Sequence, residues 1–148
     1  MRNILLFVLA VLFFASTAQA AQPTPINSLS DLLYRMEGQE SGHKQKPKGS
    51  NDGGLARGWM QLHRPFVTDV MPRFEAKYNR EFSYEEICDN RTYAREAAIF
   101  WFERYCKKAL AANDYRTLAA RFNQGLKGEK TAKGEAYWQG VLRQSPAK

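Results

Sequence analysis

Between Gly42 and Gly58 the chain carries five glycines, one proline and four lysine or arginine residues. That composition suits neither helix nor strand, and the segment reads as a loop, with a short hairpin expected at Asn51-Asp52-Gly53-Gly54. On both sides of it the pattern is helical. Ser28, with Asp31 three residues on, opens a helix running to about Ser41. Pro65 suits a first helical position, and Phe66, Val67, Val70, Met71, Phe74 and Tyr78 follow at helical intervals, with Pro72 expected to kink or break that helix. Ser83 with Glu86 caps a short turn. Asp89 or Asn90 caps a long helix carrying Tyr93, Ala97, Phe100, Trp101, Tyr105 and Ala109. Asp114 opens Tyr115 to Gln124, which Gly125 closes, and a basic linker from Leu126 to Gly134 leads to a last helix from about Glu135 to Arg143. The expectation is a mainly α architecture of five to seven helices around one loop-rich insertion.

The N-terminus bears on where such a chain works. Met1-Arg2-Asn3 is a short basic segment, Ile4 to Phe14 is uncharged, and Ala18-Gln19-Ala20 places small residues where a signal peptidase reads. Eleven apolar residues span only about 16 Å as a helix, roughly half of a hydrocarbon core. Residues 1–20 therefore read as a cleaved signal peptide, 21–27 as a proline-containing tether and 28–148 as one domain, exported to the periplasm or secreted, with no lasting membrane insertion. Lys and Arg number 22 against 15 Asp and Glu, a net charge of +7. This favours a polyanionic partner, and export makes cell wall a better candidate than nucleic acid.

Two cysteines in an exported chain invite a disulfide. Cys88 and Cys106, however, flank a stretch that reads as continuous helix, which would hold them about 24 Å apart against a limit near 7 Å between Cα atoms. Two free, buried thiols are expected.

His43 and His63 are the two histidines, and no His-x-x-x-His or Cys-x-x-Cys spacing is present, so no metal or other cofactor is expected. No phosphate loop or Gly-x-Ser-x-Gly elbow occurs either. Carboxylate chemistry remains. Along the first helix Leu33 falls at about 40° from Leu29, Met36 at about 340° and Glu40 at about 20°, whereas Glu37 falls at about 80°. Glu40 thus sits at the helix end in line with the buried stripe, where lost solvation raises a carboxyl pKa and keeps it a proton donor near neutrality. Glu37 lies toward the border of the stripe, and its replacement by Gln is expected to be mild.

Glu40-Ser41-Gly42, the Gly-rich loop, and then Gly53-Gly54-Leu55-Ala56-Arg57-Gly58-Trp59-Met60-Gln61-Leu62 resemble the first signature of the lysozyme-like lytic transglycosylase superfamily. Arg121-Phe122-Asn123-Gln124-Gly125 is similar to that family's later aromatic-Asn-x-Gly motif, and Ala136-Tyr137-Trp138-Gln139-Gly140-Val141 resembles its closing Tyr-containing helix. The likeness spans roughly Leu29 to Leu142. Two departures are the loop between Glu40 and Gln61, about three residues longer than in the commonest pattern, and Phe122, which stands where Tyr is usual before the Asn.

The resemblance implies a lysozyme-like helical domain of the goose-type lysozyme and lytic transglycosylase kind. It also implies an activity, cleavage of the peptidoglycan β-1,4 bond between MurNAc and GlcNAc with a 1,6-anhydro product. Glu40 would be the acid and then the base. Gln61 and Asn123 carry amides suited to N-acetyl and hydroxyl groups. Tyr137 and Trp101 are candidates for a hydroxyl or aromatic wall near Glu40, and His63 for the cleft margin. Asp52 is either a turn residue before Gly53-Gly54 or the second carboxylate of a hydrolytic lysozyme. The partner implied is the peptidoglycan glycan strand, met by a monomer alone or within a wall-spanning machine. A non-catalytic wall-binding or assembly protein on the same fold stands as an alternative.

Overall fold

The computed structural model describes residues 24–45 and 55–146. The segment 1–20, Asp52 and the hairpin expected at Asn51–Gly54 lie outside the described residues.

Within those residues the protein is mainly helical. The helices are α1 (Leu29–Ser41), α2 (Arg64–Tyr78), α3 (Tyr84–Asp89), α4 (Arg91–Tyr105), α5 (Lys107–Ala111), α6 (Tyr115–Gln124) and α7 (Ala132–Arg143), with a 3-10 turn at Gly128–Lys130 before α7. Two short strands, β1 (Ala56–Arg57) and β2 (Leu62–His63), pair antiparallel between α1 and α2, with Ala56 opposite His63 and Arg57 opposite Leu62.

Local side-chain chemistry explains where the helices begin. The Ser28 hydroxyl accepts from the Asp31 N–H, Ser83 from Glu86, Asn90 from Thr92 and Tyr93, and Asp114 from Thr117. Each satisfies N–H groups that a helix leaves without partners in its first turn. Thr131 does the same for Gly134, so α7 starts at Ala132, three residues earlier than the sequence pattern suggests.

Two further boundaries differ from expectation. The helix α2 is not broken at Pro72. Proline removes the hydrogen bond to the carbonyl four residues back, but Pro72 and Thr68 are both exposed, so the loss falls on the side of the helix where solvent can replace that bond. The long helix after Asn90 does stop, at Tyr105, where Cys106 adopts φ −124° and ψ 27°. The chain then restarts as α5.

The core joins Leu32, Leu33 and Met36 of α1 to Val67, Val70 and Phe74 of α2, Ile87 of α3, Phe102 of α4, Leu118 of α6 and Val141 of α7. On α4, Ala94, Ala97 and Ala98 are wholly buried alongside Phe102, and the three small side chains let neighbouring elements approach closely. The thiols of Cys88 and Cys106 are free and buried, in α3 and at the end of α4. Arg35 is buried as well. Its guanidinium pairs with Asp31 at 3.0 Å and donates to the carbonyls of Thr24, Pro25 and Gln144. It therefore fastens both the described part of the stretch read as a tether and the residue after α7 onto α1.

Candidate active site

At its C-terminal end α1 stops on Gly42, whose φ of 60° lies in the left-handed region and whose N–H bonds the Gly38 carbonyl. Glu40 sits in this last turn, half-buried. α6 brings Asn123 and α7 brings Tyr137 to its carboxyl. Burial pushes Glu40 up from the ordinary carboxylate value to about 7, while the Tyr137 hydroxyl and the Asn123 amide, both donors to the charged form, moderate the rise. Asn123 Oδ1 accepts from Gln124 Nε2 at 2.6 Å, which leaves the Asn123 amide N–H groups as the donors toward Glu40. The Tyr137 hydroxyl is buried with no partner in strict hydrogen-bond geometry among the described residues. The Glu40 carboxyl nonetheless acts on it from close by, so the contact is loose.

A carboxyl titrating near 7 is both protonated and ionised in quantity at neutral pH. Such a group can give a proton in one step and take one in the next.

Gln61, the other amide expected at the site, lies in the turn between β1 and β2. Gly58 has φ 76°, and a Cβ there would lie 1.9 Å from the Cys88 carbonyl oxygen, so only glycine fits. Gln61 closes the turn at φ 47°, an uncommon conformation for a residue with a side chain, and its amide donates to the Gly58 carbonyl at 2.8 Å. The turn is bolted to the α3–α4 junction. Arg57 forks onto the Asp89 carboxylate at 3.0 and 2.6 Å, and the Trp59 indole N–H donates to the Asp89 carbonyl at 3.1 Å.

Glu37 departs from the expectation placed on it. Expected toward the border of the buried stripe, it is fully buried, 0% exposed, among Arg91, Arg95 and His43. Burial pushes its carboxyl up, but hydrogen bonds from Arg91, His43 and Arg95 outweigh that and hold it below the ordinary range. A helix in a globular core presents an inward arc wider than a single stripe of apolar residues, and α4 reaches the edge of that arc. The mild outcome expected for Glu37→Gln is therefore withdrawn.

The structure thus brings Glu40, Asn123 and Tyr137 together and holds Gln61 in a strained turn. His63 is exposed at the end of β2. Trp101 stacks on Phe66, with centroids 5.6 Å apart, and Phe66 meets the edge of Phe122, the neighbour of Asn123. Trp101 and Phe122 are thus members of an aromatic cluster of α2, α4 and α6 packed on the core. Sequence reasoning overlooked Arg91 and Arg95; their spacing of four residues on one helix face was the available sign of a shared partner.

Among the described residues no group of three or more His, Cys, Asp or Glu is arranged to hold a metal ion, and no helix is long and apolar enough to cross a membrane. Compared with known proteins, the chain matches no family description and no curated sequence.

Proposed function

We infer that the chain is an exported enzyme of lysozyme-like fold that cleaves peptidoglycan as a lytic transglycosylase, with Glu40 as its acid and base. The observation that carries this reading is the half-buried Glu40 carboxyl, raised to about 7 at a helix end with the Asn123 amide and the Tyr137 hydroxyl upon it. Its neighbouring acid on α1, Glu37, is wholly buried and neutralised by two arginines, so it is unsuited to attack a sugar.

In the reaction, protonated Glu40 gives its proton to the bridging oxygen as the bond to the muramoyl anomeric carbon breaks. The anionic carboxylate then takes the proton of the same sugar's 6-hydroxyl, whose oxygen closes onto the anomeric carbon. Glu40 ends protonated, the product carries a 1,6-anhydro ring, and no water is consumed. Gln61 and Asn123 supply amides to the N-acetyl and hydroxyl groups of the strand.

The test is to digest purified peptidoglycan in water enriched in heavy oxygen and weigh the released muropeptides. Anhydro ends without label, lost in Glu40→Gln, are expected. Labelled reducing ends would make the enzyme a hydrolytic lysozyme, with Asp52→Asn then expected to cost about a thousandfold. Binding without release would leave a wall-binding protein.

A further inference from the structure

The junction of α4, α5 and α6 leaves a cavity of about 520 Å³. It opens where the chain departs from helical geometry at Cys106, and Ala109 and Ala112, which line it, are too small to fill it. The volume falls within the roughly 300–1,000 Å³ of sites that hold small organic ligands, and far exceeds what one carboxylate or phosphate occupies. Four cations line it, Arg104 from α4, Lys107 and Lys108 from α5 and Arg121 from α6, together with the carboxylate of Asp114, the N-cap of α6.

The two arginines are balanced by carboxylates outside the lining. Arg104 reaches Asp69 of α2 with Nη1 at 3.1 Å, and Arg121 forks onto Glu129 of the 3-10 turn at 2.9 and 2.7 Å. Lys107 and Lys108 are exposed and have no ion-pair partner among the described residues. Asp114 offsets one of them, so the lining and its two outer carboxylates together keep a surplus of one positive charge. Such a surplus matches a carboxylate better than a phosphate dianion or a densely charged polymer. Asp114 narrows the ligand further. Its Oδ1 accepts the Thr117 N–H at 3.0 Å, which leaves Oδ2 and the Thr117 hydroxyl to accept from N–H groups of a ligand. A short peptide with a free carboxylate near its amide N–H groups meets both demands.

The cavity is separate from the site at Glu40. Thr117 and Arg121, four residues apart, share the face of α6 at the cavity, whereas Asn123, which acts on Glu40, lies about 200° round the helix from Arg121. We propose that the cavity is a second binding site, taking the carboxylate-bearing peptides that hang from the peptidoglycan strand, so that the protein is anchored to the wall independently of its cleft. The source of the peptide rests on the proposed reaction, while the site rests on the cavity and its charges.

The test is calorimetric titration of the intact protein with the tetrapeptide freed from purified peptidoglycan by an amidase, and separately with inorganic phosphate. The tetrapeptide should bind, and the shifts it causes in the amide NMR spectrum should centre on Lys107, Lys108 and Thr117. Lys107→Gln combined with Lys108→Gln should weaken binding about tenfold, as when two exposed charges facing one anion are removed, and should raise KM for wall digestion. Lys107→Arg combined with Lys108→Arg keeps the charge and should keep the affinity. Both side chains are exposed, so all four substitutions should leave Tm unchanged.

Absence of tetrapeptide binding, shifts centred elsewhere, an affinity that the double Gln variant leaves unmoved, or a preference for phosphate over the tetrapeptide would each overturn the proposal. Titration requires no turnover, so the two readings fail separately. A protein that binds the tetrapeptide at these lysines but never cleaves the wall would remove the reading of Glu40 and leave the site, whereas cleavage without tetrapeptide binding would remove this inference alone.

Discussion

The hydroxyl of Tyr137, at the buried face of α7, meets the carboxyl of Glu40 at the end of α1, and the contact acts oppositely on the two groups. It lowers the Glu40 pKa, against the larger upward effect of burial, and together with burial raises that of Tyr137 well above the usual phenol value. Tyr137→Phe removes one donor to the ionised carboxylate. Glu40 should then titrate above its present value of about 7, and the alkaline limb of muropeptide release should move to higher pH. Because the contact is loose, the rate at the optimum should fall by only about fivefold, the worth of one neutral hydrogen bond. A limb that stays in place would detach Tyr137 from Glu40.

A raised carboxyl is also a statement about stability. Unfolded, Glu40 returns to the ordinary value of 4.5, so between 4.5 and about 7 the unfolded chain is ionised where the folded one keeps its proton. The unfolded state then binds fewer protons, and stability falls as pH rises through that window. Below it both states are protonated and nothing is lost. Glu40→Gln, inactive by the proposal, should therefore be more stable than the natural protein at pH 8, by up to about 3 kcal/mol. The difference should vanish near pH 4. Urea unfolding of both proteins at the two pH values measures it, and equal stabilities at pH 8 would show that Glu40 is not desolvated as described.

The thiols give a third expectation. Burial pushes Cys88 up to about 12 and raises Cys106 as well, so neither supplies thiolate near neutrality. The folded protein at pH 8 should be inert to a thiol reagent over minutes. After unfolding without reductant it should yield two thiols per chain, whereas none would mean a disulfide.

What was legible in the sequence follows the range of the interactions. The caps Ser28, Ser83, Asn90 and Asp114 act on N–H groups two or three residues away, and each could be read from its own neighbourhood. The angle of Glu40 on α1 is equally local. Glu37 was misread because the residues that bury it, Arg91 and Arg95, lie 54 and 58 positions on, and periodicity carries no information about them. Asn123 and Tyr137 were singled out by resemblance and not by any spacing relative to Glu40. The break expected at Pro72 does not occur because the helix leaves that residue and Thr68 exposed, which the identity of the residue alone does not reveal.

The last expectation separates two glycines that share a left-handed backbone. Gly42 ends α1 at φ 60° with nothing within 4 Å of where a Cβ would stand, so Gly42→Ala should cost only the conformational term, about 1 kcal/mol. Gly58 has φ 76°, and its Cβ would lie 1.9 Å from the Cys88 carbonyl oxygen and 2.4 Å from the carbonyl carbon. Backbone, unlike the tip of a side chain, cannot turn aside. Gly58→Ala must therefore push the β1–β2 turn off the end of α3, at a cost of about 3 kcal/mol or roughly 10 °C in Tm. The same displacement moves the carbonyl that holds the Gln61 amide, so muropeptide release should fall with it, while Gly42→Ala keeps most of its activity. Thermal unfolding and wall digestion of the two variants side by side provide the check. Equal losses of Tm would mean that Gly58 is required for its φ alone and that the turn is not pressed against Cys88.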